Sequence, residues 1–196
     1  MALKIDQIKD LQDNSIISKS GSNITLGASN DTIAFASGIT SNLLTPAFEV
    51  YLNGNQTLTD NTETKVTFNA TTVDTDSTFD ISTNYRFTVP SGKAGKYFFY
   101  CSLNATALAV SQLEQFLVKF RKNGSTAVGD ERASYHYPMN NSGAQASICM
   151  TAIFDLSVGD YIEVYALIDD NSGSPALDAY TGSNTQLCYF GGYKIG

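Results

Sequence analysis

Gly95-Lys96-Tyr97-Phe98-Phe99-Tyr100-Cys101-Ser102-Leu103 carries four consecutive aromatics in a chain that has no tryptophan. Read as a strand, it sends successive side chains to opposite faces. Tyr97, Phe99, Cys101 and Leu103 then share one face, and Phe98, Tyr100 and Ser102 the other. Both faces are too apolar to be left in water. Such a strand is expected mid-sheet, with a core on one side and another copy of the same subunit on the other. Phe98 and Tyr100 are the expected subunit contacts.

Outward from this stretch, short apolar runs alternate with turn chemistry. Upstream, Phe48-Glu49-Val50-Tyr51-Leu52 alternates and stops at Asn53-Gly54, a tight-turn dipeptide. Val66-Thr67-Phe68 reads as a short strand, and Phe79, Ile81, Tyr85 and Phe87 follow in a Thr/Asp-rich run closed by Pro90. Downstream, Phe116 to Phe120 ends at Asn123-Gly124. Leu113, Phe116, Leu117 and Phe120 also fit helical spacing with Gly124 as a stop, so local pattern leaves strand and helix open over 108–120. The β-rich surroundings favour strand. Ile148 to Leu156 and Tyr161 to Leu167 are further strands, a polar loop is expected from Asp169 to Asn184, and Leu187 to Ile195 is the last strand. About eight strands at this spacing imply a β-sandwich.

The bulk numbers bound the rest. The 196 residues allow one ordinary domain with an appendage, or two small domains. A net charge of −7 argues against partners that demand a basic face, nucleic acid and anionic membranes among them. No apolar run approaches the roughly 20 residues of a membrane span. Met1 to Asp10 has no apolar core of the kind a secretory signal needs. Synthesis in a cytoplasm is therefore expected. Cys101, Cys149 and Cys188 are odd in number and widely spaced, which suits buried free thiols better than a disulfide framework.

Residues 1–45 differ in character and are expected to form an attachment or trimerisation arm before a domain at 46–196. Leu3, Ile5, Ile8 and Leu11 suit a helical turn or two, or a frayed terminus. Ile16-Ile17, Asn23 to Leu26 and Thr32 to Phe35 are short β-favouring pieces between Gly/Ser/Asn turns. None builds a core alone, so each needs other chains or another protein to lie on.

The order of landmarks in 46–196 resembles the complement C1q-like family, relatives of the tumour-necrosis-factor jelly roll. The resemblance runs through Ala47-Phe48-Glu49-Val50, Thr78-Phe79-Asp80 with Tyr85 to Pro90, and Gly95-Lys96-Tyr97-Phe98-Phe99. It continues in Phe120-Arg121-Lys122-Asn123-Gly124, Leu156-Ser157-Val158-Gly159-Asp160-Tyr161-Ile162 and Phe190-Gly191-Gly192-Tyr193-Lys194-Ile195. It implies an all-β, ten-strand jelly roll assembling as a homotrimer. It also implies one sheet holding the first, last, central aromatic and Ile148–Leu156 strands, hence all three cysteines. By parity Cys101 and Cys188 share its inner face, while Cys149 looks outward and joins Phe98 and Tyr100 as an expected trimer contact. Ile24-Thr25-Leu26-Gly27-Ala28-Ser29-Asn30-Asp31-Thr32-Ile33 resembles segments in structural proteins of phages, notably those of marine cyanobacteria. Together these imply a virion component, with capsid or tail proteins as partners of 1–45 and a host-surface glycan or protein as a partner of the knob. A bacterial lectin-like or adhesive trimer is the second reading.

Catalytic patterns are thin. His136 is the single histidine and sits in Tyr135-His136-Tyr137-Pro138; Ser134 is the nearest hydroxyl in sequence. A triad is assembled in space rather than along the chain, and a surface histidine is the plain reading. No Cys-x-x-Cys, His-Glu-x-x-His or phosphate loop is present. Asp74, Asp76 and Asp80 offer oxygen ligands of the kind hard cations take, but without a loop motif they read as solvated turns. Asp169-Asp170 are expected in a polar loop with nothing to raise either pKa. No enzyme, cofactor or resident metal is expected. Tyr135, His136, Tyr137 and Tyr180 are the candidate ligand or receptor contacts, tyrosine offering area and a polar tip at low entropy cost.

Overall fold

The structure, a computed structural model, describes residues 7–9, 15–20, 23–26, 46–107, 113–136, 144–171, 173–180 and 185–195. The chain divides into two compact units, Met1–Ser41 and Asn42–Gly196. In the first, β1 (Gln7–Lys9), β2 (Ser15–Ser20) and β3 (Asn23–Leu26) form an antiparallel three-stranded sheet. Residues 7–9 are thus strand where the spacing suggested a helical turn. The pairing of Ile8 with Ile17 and of Ile17 with Leu26 supplies the partners that an isolated short helix lacks. The rest of 1–13 and the piece at Thr32–Phe35 lie outside the described residues.

The second unit is an all-antiparallel sandwich. Its larger sheet contains β4 (Ala47–Tyr51), β5 (Gln56–Thr57), β7 (Ala70–Asp74), β10 (Gly95–Thr106), β13 (Gln145–Leu156), β15 (Ala176–Leu177) and β16 (Tyr189–Lys194). The spine runs β13-β10-β16-β4-β7, so the aromatic strand β10 is paired along both edges, as its two apolar faces required. The smaller sheet contains β6 (Thr64–Lys65), β8 (Phe79–Asp80), β9 (Arg86–Thr88), β11 (Leu113–Lys122), β12 (Glu131–His136) and β14 (Tyr161–Asp170). The first, last, central and 148–156 strands do share one sheet.

The core lies between the sheets. From the larger sheet come Phe48, Tyr97, Phe99, Cys101, Leu103 and Phe190; from the smaller, Phe87, Phe116, Val118, Phe120 and Val164. Phe48 stacks on Phe87 at 5.0 Å between centroids and meets Phe190 edge-on at 5.1 Å; Phe120 lies 5.4 Å from Phe190. Each such ring pair adds about 0.5–1.5 kcal/mol beyond area burial. The glycine pair of β16 makes room for this packing on both faces. A Cβ on Gly192 would fall 2.5 Å from the core ring of Phe99, and one on Gly191 would fall 2.4 Å from the Tyr100 ring on the outside.

Two local expectations change, and one choice left open by the sequence is decided. The short strand expected at Val66–Phe68 is an extended bridge between β6 and β7. Val66 and Phe68 are fully buried there, with Val66 N–H donating to the Val164 carbonyl and Thr67 N–H to the Gln56 side chain. The segment 113–122 is strand, as the β-rich surroundings favoured, and 108–112 lie outside the described residues. Asp169 and Asp170 are not loop but the end of β14, where Asp170 N–H donates to the Asp60 carboxylate.

Candidate interaction surface

The outer face of the larger sheet follows from register. One row runs Val73, Glu49, Gly191, Tyr100, Thr151 across five strands; the next runs Ala47, Tyr193, Phe98, Ile153; the third runs Tyr51, Tyr189, Ser102, Cys149. Five aromatics therefore stand on one external face, each half-buried. Phe98 lies 5.6 Å from Tyr193 and 6.5 Å from Tyr100, and Tyr100 meets Tyr189 edge-on at 6.4 Å. Val73 and Ile153 flank them at 45% and 54% exposure, values that leave large aliphatic side chains in water.

Phe98, Tyr100 and Cys149 are thus brought onto one face. Tyr100 lies flat across Gly191, and its hydroxyl donates to Glu49 Oε2 at 2.8 Å. Burial, then this bond to a carboxylate, pushes the Tyr100 phenol well up from its ordinary value. Among the described residues no cation pairs with Glu49. Glu49, Tyr100, Gln186 and Tyr189 line a cavity of about 500 Å³. Glu49, Tyr51, Tyr189 and Tyr193 were not singled out from sequence. The parity of the first and last strands would have found them once their register was known.

The thiols divide as parity implied. Cys101 and Cys188 are buried, Cys149 is exposed. Burial pushes the Cys101 thiol far up and that of Cys188 up to about 12, which leaves neither a thiolate for nucleophilic work near neutral pH. Cys149 sits 3.5 Å from Ser102 Oγ.

The candidate ligand contacts do not converge. Tyr135, 61% exposed, and His136 end β12 on the smaller sheet, opposite Leu117 and Phe116. Tyr180 follows β15, its hydroxyl donating to Asn53 Oδ1 at 2.5 Å and its ring packed against the core. Tyr137 lies outside the described residues. Asp74 and Asp80 turn their oxygens inward to local donors. Asp74 accepts from Thr78 and Phe79 N–H, and Asp80 from Ser82, Thr83 and Asn84 N–H. Those bonds hold the Asp80 carboxyl well below the usual range.

The outer face of the smaller sheet is different in kind. Lys119 and Arg121 on β11 each pair with both Glu63 and Glu131, while Lys65 pairs with Glu163. Arg121 also stacks 4.4 Å from the Tyr165 ring. Three cations meet three carboxylates, so this face satisfies its own charge. At the far end of β14 charge is not balanced. Burial, then the carboxylates of Asp60, Glu114 and Asp170, push Asp169 up, contrary to the expectation that nothing there would do so.

No protein-family model matches the chain, and no curated protein matches its sequence. Among solved structures, the globular domain of zebrafish complement 1qA protein is similar over 77% of this chain and 98% of that one, at 19% identity and a TM-score of 0.52. The tumour necrosis factor Eiger from S. frugiperda is similar over 76% and 92%, at 14% identity and a TM-score of 0.49. No helix among the described residues is long and apolar enough to cross a membrane. The fold expected from sequence stands: the chain carries a C1q-like jelly roll, an all-β sandwich of two antiparallel sheets.

Proposed function

We propose that this protein is a non-enzymatic structural component of a phage virion. Its jelly-roll domain assembles as a homotrimer and projects outward, and residues 1–45 attach to a capsid or tail protein. The observation that carries the assembly is the half-buried aromatic face of the larger sheet. A contiguous apolar patch on an external face marks an interaction site, and here it is built into the sheet that also carries the core. The order of sequence motifs, through its resemblance to a family of homotrimers, supports a closed ring of copies around that face. A trimer fits the biology of an exposed knob, because three weak contacts on a rigid body bind with avidity that none has alone. The arm's phage-like segment, Ile24 to Ile33, supports the virion role.

The buried, high-pKa thiols Cys101 and Cys188 and the solvent-facing position of His136 support a binding rather than a catalytic role. Binding of the full chain and of residues 46–196 alone to phage particles lacking the protein, and to intact host cells, tests the assignment. Arm-dependent capture by particles is expected. Capture by cells alone makes the protein an adhesin, and capture by neither removes the virion reading.

A further inference from the structure

Arg86 and Asp80 face each other in register across β8 and β9, and they do not pair. Each is engaged elsewhere. Both Asp80 oxygens are held by the turn that follows: Oδ1 accepts from Ser82 and Thr83 N–H at 2.9 Å, and Oδ2 accepts from Asn84 N–H at 3.1 Å and Asn84 Nδ2 at 2.8 Å. The Arg86 guanidinium lies 3.9 Å above the centre of the Tyr161 ring. Stacking occupies the flat face of a guanidinium and leaves its N–H edge free to donate. Among the described residues no carboxylate pairs with Arg86.

Between these two groups opens a cavity of about 340 Å³. Its wall offers the hydroxyl residues Ser77 and Thr88 and the amide of Asn84, and Pro90 gives it an apolar side. The Ser77 and Thr88 hydroxyls and the Asn84 side-chain carbonyl suit sugar hydroxyls, an apolar wall suits the C–H face of a pyranose, and an unpaired guanidinium edge suits an oxyanion.

We propose that this cavity is a binding site for an acidic monosaccharide unit, a sugar bearing one carboxylate or sulfate, anchored at Arg86. The fixed negative charge of Asp80 favours a monoanion over a doubly charged phosphate. The site lies within a single chain and does not depend on the aromatic face, so it stands or falls separately from the trimer. It lies apart from Tyr135 and His136, on the strands at the opposite edge of the smaller sheet.

The test is amide-resolved NMR titration of the full chain with N-acetylneuraminic acid, glucuronic acid, glucose 6-sulfate, glucose 6-phosphate and glucose. The expected result is saturable shifts confined to Asn84, Arg86, Thr88 and their neighbours. A response to a carboxylated or a sulfated sugar identifies which oxyanion is preferred, with the phosphate weaker and glucose silent. Arg86→Gln should weaken binding at least about tenfold, since a charge-assisted bond is worth about 1.5–3 kcal/mol, and Arg86→Lys should retain part of it. The proposal is overturned by no shift in the wild-type protein, by shifts centred elsewhere, by an equal response to glucose, or by an equal response to sodium acetate and sodium sulfate. It is also overturned by unchanged affinity in an Arg86→Gln protein whose spectrum shows it folded.

Discussion

The hydroxyl of Tyr100 reaches Glu49 on the strand two places away, 2.8 Å from Oε2, because the residue between them is Gly191. The neighbouring Gly192 does the same for Phe99 on the core side. The chain thus places Tyr100 and Phe99 over two side-chain-free positions.

Substitution tests this directly. A Cβ on Gly191 would lie 2.4 Å from Tyr100 Cζ and 2.9 Å from the Phe48 carbonyl; one on Gly192 would lie 2.5 Å from Phe99 and 2.8 Å from the Phe98 carbonyl. Gly191→Ala and Gly192→Ala should each destabilise by about 1–3 kcal/mol. The Gly192 change should be the larger, because a core ring has nowhere to go. Urea unfolding checks both.

Acid should unfold the protein through identifiable carboxylates. Burial pushes Glu63 up, but hydrogen bonds from Lys119 and Arg121 outweigh it and hold the group below its ordinary value; Asn123, the Ser157 N–H and Lys122 do the same for Asp160. A depressed folded pKa stabilises above the unfolded value and loses that contribution as pH falls through the folded one. The urea midpoint should therefore drop below about pH 4, where unfolded carboxylates begin to protonate. Glu63→Gln should cost about 1–2 kcal/mol at pH 7 and shallow that drop. Asp169 has the opposite sign: its raised pKa means the charged form is disfavoured in the fold. Asp169→Asn should raise the unfolding free energy at pH 7 by roughly a few tenths of a kcal/mol, the gain being limited by solvent screening.

Thiol labelling separates the three cysteines. Cys149 is exposed on the face assigned to subunit contact, and Cys101 and Cys188 are buried. In a monomer one thiol should react quickly and two only on unfolding. In the assembled trimer Cys149 should be protected too. A Phe98→Asp variant, which places a charge on the contact face, should restore its reactivity to the monomer rate.

What was legible in the sequence follows from where period and burial agree. In β13, and in β10 as far as Leu103, alternation matches one buried and one outer face, so parity placed Cys149 and Cys101 correctly. In β11 it failed to decide: Leu117 and Arg121 are buried on the outer face, Arg121 paired with Glu63 and Glu131, so apolar residues fall at both parities and mimic a helical stripe. That network joins residues more than 50 positions apart, and no local pattern reports it. The end of β14 was misread because acidic residues suggest loop. The sequence shows no sign of the Asp60 carboxylate that receives the Asp170 N–H. Arg86 was quoted only as part of a motif; its stacking on Tyr161 depends on strand neighbours 75 positions away in sequence.

Light scattering on the full chain tests the central claim most directly. A homotrimer gives a mass three times the 21.1 kDa of one chain, falling to one chain for Phe98→Asp with its β-sheet circular dichroism retained. A wild-type mass of a single chain, with Phe98, Tyr100 and Ile153 left in water, would rule the trimer out.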